Sequence, residues 1–245
     1  PPLHRLSGSA VSRDRQQPTL LRTLLMTHQY KAVIFDLGGV VVGSPLHAIR
    51  DFEAERGIQD GTVNRHVAGS APHGAWHRLE RGELTMGDDF FAAFDSELGE
   101  LGHADFSTRE MMARIREIGQ PRPQMLEAIE RLKAAELVVG ALTNNWTSDD
   151  EGAEDGATNQ LRSKALHGRF HAVIESAVVG LRKPDPRIYR LACETLGVEL
   201  EESVFLDDIG TNLKGARALG MKTIKVDDPD EALRELGGVL SLDLL

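Results

Sequence analysis

The sequence predicts an α/β fold, a mostly parallel sheet with a small helical domain inserted after its first strand. Three observations carry that expectation. Short β-prone apolar runs alternate with amphipathic helical stripes. Several of those runs end in polar residues suited to chemistry. The connection from Asp36 to Thr143 is far too long for a single crossover.

In chain order, the first element is the run KAVIFD, 31–36, where Val33, Ile34 and Phe35 lead into Asp36 and the chain then turns on Gly38 and Gly39. Segment 46–119 contains no strand pattern but has helical stripes: Phe91, Phe94, Leu98 and Leu101, then Met111 or Met112, Ile115 and Ile118. The remaining strands are expected at 137–143, 172–175, 203–207 and 222–226. Helices start near Pro123, after Pro186 and after Asn212, with Gly197, Gly220 and Gly237 as helix stops. The acidic run SDDEGAEDG, 148–156, is expected to be an exposed loop.

Residues 1–25 stand apart. They carry Arg5, Arg13, Arg15 and Arg22 against a single acid, Asp14. Such a segment reads as a disordered leader or tail, as an extension upstream of a start at Met26, or as a mitochondrial transit peptide.

Composition narrows the function. A net charge of −10 argues against nucleic acid or an anionic membrane surface as the main partner. No apolar run approaches the roughly 20 residues needed to span a bilayer. A single cysteine, Cys193, excludes an internal disulfide and suits a reducing compartment such as the cytoplasm.

In open parallel sheets, ligands bind outside the carboxyl ends of the strands. Here those ends supply Asp36, then Thr143-Asn144-Asn145, then Asp207-Asp208, and Lys183 precedes a proline-rich helix start in GLRKPDPRIY. An acid, a hydroxyl with amides, an ammonium and an acid pair suit phosphoryl transfer through an aspartyl intermediate. A carboxylate is a competent nucleophile. Its approach to an anionic phosphate needs positive charge, which Mg²⁺ on Asp36 and Asp208 with Lys183 alongside would supply.

With these residues in order, the chain resembles the haloacid dehalogenase (HAD) superfamily over about 31–235. The stretches ALTNNW, VIESAVVGLRKPDPRIY and FLDDIGTNLKGARALGMKTIKV are similar to the N-terminal phosphatase domain of soluble epoxide hydrolase and to the HAD-like domain of an acyl-CoA dehydrogenase family member. The resemblance implies a Rossmann-like parallel sheet core, 26–45 and 120–245, with an inserted helical cap domain, 46–119. It implies Asp36 as nucleophile, Thr143 and Asn144 as phosphate-binding residues, Lys183 as the charge-stabilising lysine, and Asp207 and Asn212 as support. Mg²⁺ would be held by Asp36, Asp208 and the backbone carbonyl of Gly38. The substrate implied is a small phosphorylated metabolite. Epoxide hydrolysis is not implied, because that activity belongs to a separate α/β-hydrolase domain.

Gly38 departs from the family pattern. Phosphatases of this type usually carry a second Asp there, acting as general acid and base. Glycine keeps the carbonyl and removes the proton donor, which is typically worth 10²–10⁴-fold, or roughly 3–5 kcal/mol of barrier. A slow phosphatase favouring good leaving groups (acyl, aryl or anomeric phosphates) is therefore expected, with His47 as a possible substitute acid or, more simply, a surface residue. The rival from another class is a non-catalytic module that binds a phosphorylated ligand. A haloacid dehalogenase would also lack the second Asp, but the Asp207-Asp208 pair favours a metal site. A sugar-kinase or actin-like opening fits poorly with Val40-Val41-Val42 and the helical insert.

The remaining conspicuous residues have plain readings. Cys193 is packing, Trp76 anchors the cap helices or, less simply, lines the cleft, Asp227-Asp228 and Glu201-Glu202 are helix-start charges or solvated surface, and the nine histidines show no zinc spacing.

Overall fold

The computed structural model describes residues 29–148 and 165–245. The expectations for the leader and for nearly all of the 148–156 stretch lie outside the described residues.

Five parallel strands form one sheet: β1 (Ala32–Phe35), β2 (Val138–Thr143), β3 (Ala172–Glu175), β4 (Ser203–Asp207) and β5 (Lys222–Lys225), in the order β3-β2-β1-β4-β5. The order reverses at β1, which lies between β2 and β4, and the strand ends beside it form the crevice where such sheets bind ligands. The strands are apolar on both faces because helices cover both. Val33, Phe35, Val139 and Leu206 pack towards α6 (Pro123–Ala134) and the C-terminal helix at Pro229–Leu240. Ile34, Leu142 and Phe205 point the other way, onto helices at Pro186–Leu196 and Gly210–Arg217.

Between β1 and β2 lie α1 (Pro45–Glu55), α2 (Thr62–Gly69), α3 (Ala75–Glu80), α4 (Asp88–Glu100) and α5 (Thr108–Ile118). These helices have their own apolar cluster, built on Phe52, Trp76, Leu79, Phe90, Phe94, Leu98 and Met111. Trp76 is its centre, with Phe90 and Phe94 rings 6.1 and 5.7 Å away. Of the expected α4 stripe, Phe94 and Leu98 are buried, Phe91 is only partly so with Phe90 in the buried place, and Leu101 is 54% exposed as the helix ends.

The two chain crossings into this insert run side by side. Val42 bridges Pro121 in antiparallel fashion, and the Arg122 N–H donates to the Val41 carbonyl at 2.8 Å. A Cβ on Gly43 would fall 2.2 Å from the Ile118 carbonyl oxygen, so only glycine permits this approach. The Arg122 guanidinium also donates to the Gly39 carbonyl, at 2.9 Å.

After β3 come α7 (Ser176–Val179), α8 (Pro186–Leu196), α9 (Gly210–Arg217) and α10 (Pro229–Leu240). Proline opens α1, α6, α8 and α10, where its missing N–H costs nothing. Asp185 caps α8 and Asp228 caps α10 through their side chains, in keeping with the helix-start reading of the latter. Gly197 closes α8 in the left-handed region. Gly237 is not a helix stop: α10 runs through it to Leu240 and ends at Ser241, φ 56°. The glycine is needed because the Leu242 carbonyl packs back on it, 2.6 Å from where a Cβ would stand.

Candidate active site

The sheet register sets the site. Phe35 pairs with Ala141 on one side and Leu206 on the other, so one residue further Asp36 comes level with Leu142 and Asp207. The Asp36 N–H donates to the Leu206 carbonyl at 2.8 Å, extending the ladder by a residue, and the Leu37 N–H donates to Asp36 Oδ1 at 2.7 Å. The strands thus hand Asp36 and Asp207 to the same rim.

Lys183 arrives from the loop between α7 and α8 and is fully buried. Its ammonium lies 2.9 Å from Asp36 Oδ1 and donates to Asp207 Oδ2 at 2.7 Å and to the Leu142 carbonyl at 2.9 Å. Three N–H groups meet three acceptors, which satisfies the lysine's donor inventory. Its backbone is fixed as well: the Asn144 side chain accepts from the Lys183 N–H at 2.9 Å and donates to the Lys183 carbonyl at 3.2 Å.

Asp207, fully buried, accepts from Lys183, from Asn212 Nδ2 at 3.1 Å and from the Ile209 N–H at 2.8 Å. Asp208 faces the turn after β1. Gly39, φ 79°, passes so close that a Cβ there would fall 2.0 Å from Asp208 Oδ2, so the second glycine of the turn is fixed by both backbone conformation and space. Gly38 has no such demand. Its Cβ would stand 3.3 Å from Pro45 Cδ, a tight but not prohibitive distance.

Thr143 ends β2 at the same rim and is 6% exposed. Asn145 is held by structure: its side chain donates to Glu175 at 2.6 Å and accepts from the Ala177 N–H at 3.2 Å. His47 is exposed on α1 and lines an open groove with Arg50, Asp51 and Ile58, the surface placement of the two anticipated. Cys193 is buried, and burial raises its thiol further above neutrality.

One residue of this site gives no sequence signal. Ser44 stands at the N-cap of α1, yet its side chain makes no capping hydrogen bond; its hydroxyl donates to Asp208 Oδ2 at 3.1 Å instead. A serine before a proline-led helix reads as an ordinary cap, and only the tertiary approach of Asp208 reassigns it.

The electrostatics fit a divalent cation. Asp36, Asp207 and Asp208 each offer an oxygen within 4.8 Å of the others, against the single positive charge of Lys183. Burial, opposed by Lys183 and reinforced by Asp207 and Asp208, pushes Asp36 up to about 8. Burial and Asp207 push Asp208 up to about 6. Lys183 is also buried, which disfavours its charge, but the two carboxylates outweigh that and hold it above the ordinary lysine range. Oxygen-only ligands with surplus negative charge are the donor set that Mg²⁺ takes.

The sequence profile of the haloacid dehalogenase-like hydrolases matches residues 30–220. The chain is 34% identical over 217 residues to acyl-CoA dehydrogenase family member 10 of Mus musculus, covering 88% of this chain and 20% of that protein. It is 36% identical over 229 residues to bifunctional epoxide hydrolase 2 of Sus scrofa, covering 88% and 40%. It therefore spans between a fifth and two fifths of the length of these curated relatives. Among solved structures, a HAD family enzyme of Bacteroides thetaiotaomicron in complex with magnesium and inorganic phosphate has the same fold, at TM-score 0.52 and 20% identity over 80% of this chain and 93% of that one.

Proposed function

The chain belongs to the haloacid dehalogenase-like hydrolase family, and on that footing we propose that it is a Mg²⁺-dependent phosphatase acting on a small phosphomonoester through an aspartyl phosphate on Asp36. The observation that carries the reading is the buried Lys183 ammonium, held between Asp36 and Asp207 where three carboxylates converge.

An Asp36 carboxylate oxygen attacks phosphorus as the bond from phosphorus to the leaving oxygen breaks, and the departing alkoxide takes a proton from solvent. Water then attacks the aspartyl phosphate at phosphorus, releasing inorganic phosphate and regenerating Asp36. Lys183 balances the charge that accumulates as two anions meet. Asp207 and Asn144 keep its side chain and backbone in place. Thr143, from the end of β2, donates its hydroxyl to a phosphate oxygen. Since the Asn144 side chain is committed to Lys183, its contact with phosphate would come from its main-chain N–H. Asp36, Asp208 and the Gly38 carbonyl would hold Mg²⁺, which when bound neutralises the carboxylates and draws the phosphate in.

Gly38 brings no proton donor, so turnover is expected to be slow with poor leaving groups, by 10²–10⁴-fold as an order of magnitude. The same residue favours a second reading, a module that binds phospho-ligands without turnover.

Phosphate release from aryl, acyl, sugar and lipid phosphates, in Mg²⁺ and in EDTA, tests the proposal, with Asp36→Asn as control. The expected result is Mg²⁺-dependent release that falls by ~10⁴-fold in the variant. Release indifferent to EDTA would refute the metal-dependent mechanism. No release from folded protein that binds Mg²⁺ would establish the binding module.

A further inference from the structure

Helix α3 of the insert sends two side chains, His77 and Glu80, to one core residue, Arg182, and a third, Trp76, braces Glu80. Arg182 Nε donates to Glu80 Oε2 at 2.5 Å, and its Nη1 lies 2.8 Å from His77 Nδ1. The other Glu80 oxygen accepts from Trp76 Nε1 at 2.9 Å. His77 Nε2 lies 2.7 Å from the Val67 carbonyl.

The partners assign the protons. A guanidinium only donates and a carbonyl only accepts, so His77 is neutral with its hydrogen on Nε2. Burial, helped by Arg182, pushes its pKa below the ordinary histidine value, in keeping with that form. The ion pair is withdrawn from water, with side-chain exposures of 20% for Arg182 and 9% for Glu80. Both Glu80 oxygens, both His77 ring nitrogens and two of the Arg182 nitrogens have partners, as in an assembled network rather than a chance surface contact.

Three further contacts cross the same boundary. Trp76 meets Trp146 edge-on, ring centroids 6.2 Å apart. The Met86 N–H donates to the Thr147 carbonyl at 2.7 Å. Gly82, φ 68°, lets the backbone pass so close to Ala177 that a Cβ would fall 2.3 Å from its carbonyl oxygen. The segments seated this way are the loop that follows Thr143, helix α7 and the residue that precedes Lys183.

We infer that Arg182 is a positioning residue: through its ion pair with Glu80 it couples the seating of the cap to the placement of Lys183, its neighbour in the chain. This rests on the phosphatase reading for the role of Lys183, whereas the seating itself rests on geometry alone. With the cap seated, the guanidinium, Glu80 and His77 satisfy one another. With the cap lifted, the Arg182–Lys183 peptide keeps its Asn144 partner but loses its anchor on the cap side.

The chain's two tryptophans, Trp76 and Trp146, stand on opposite sides of this boundary, so their emission reports seating without a label. Arg182→Met, Glu80→Gln, the double variant and Arg182→Lys are compared with wild type, each checked for folding by circular dichroism. The readouts are tryptophan emission, affinity for inorganic phosphate in Mg²⁺, and kcat and KM with an aryl phosphate.

Each single variant is expected to red-shift the emission, weaken phosphate binding about fivefold and lower kcat about tenfold, with KM moving less than threefold. The double variant should match the worse single one, and Arg182→Lys should recover part of the loss. Unchanged emission and phosphate affinity in folded Arg182→Met would overturn the inference, as would losses that multiply in the double variant. A wild type that neither binds nor releases phosphate refutes the phosphatase reading and the coupling to Lys183, while the emission still decides whether Arg182 seats the cap.

Discussion

The rim of the sheet and the seat of the cap hold charge in opposite ways. At the rim, Lys183 is fully buried and each of its N–H groups faces an acceptor drawn from a different strand. At the seat, Arg182 keeps some contact with solvent, and its two partners come from one short helix. The rim is over-determined and can change only by breaking. The seat rests on a less deeply buried ion pair and on contacts spread along the boundary. On the proposed phosphatase reading, the core would fix the reacting groups and the insert would govern access to them.

The most severe way to break this contrast is Lys183→Met. It leaves Asp36 and Asp207 without their shared cation, and losing one partner of a buried pair typically costs about 3–5 kcal/mol. Urea unfolding should show a loss of that size, with phosphate release abolished. A loss below about 1 kcal/mol would mean that the rim is no more tightly held than the seat.

Gly38→Asp sharpens the contrast by adding a group to the rim. Among the described residues its Cβ has Pro45 as its only close neighbour, at 3.3 Å, and a small shift at the start of α1 makes room. Turnover of sugar phosphates, whose leaving groups are poor, should rise by ~10². No rise would show that proton donation does not limit this enzyme.

The smallest effect is a slope with pH. Without metal, folded Asp36 holds its proton up to about 8, whereas the unfolded chain releases it near 3.8. Between those values the native state binds the extra proton, so this group's contribution to stability is lost as pH rises. Melting temperature in EDTA should therefore fall from pH 5 to pH 8, and Asp36→Asn should flatten the fall. An equal slope in both proteins would mean that Asp36 is ionised before metal binds.

How much of this was legible in the sequence follows the same division. The strands were readable because each is a short apolar run with one chemically marked end, and the rim residues were readable because the sheet delivers them from fixed positions. The insert was harder. Its helical stripes are real, and Phe94 and Leu98 of α4 are buried as expected, but Phe90 rather than Phe91 completes that face, a choice two adjacent phenylalanines cannot resolve by pattern. Gly237 looked like a stop because glycine ends helices more often than it admits a neighbouring backbone. Ser44 and Arg182 carried no local signal at all. A capping serine and a loop arginine acquire their partners only when segments far apart in the chain meet: Ser44 with Asp208, and Arg182 with Glu80.

The paired crossings at Val42–Gly43 and Ile118–Pro121 have a wider consequence. An insertion whose two ends emerge side by side asks almost nothing of the fold that hosts it, since the host sees only a short gap whatever the length of chain beyond. The sheet and its rim can keep their form while the insert is lengthened, exchanged or rewritten, as long as a partner for Arg182 is kept. If the insert sets substrate preference, preference and chemistry can then change at different rates over evolutionary time, and a cap transplanted at these crossings with the Glu80 contact retained would be a practical route to a new selectivity on an unaltered rim.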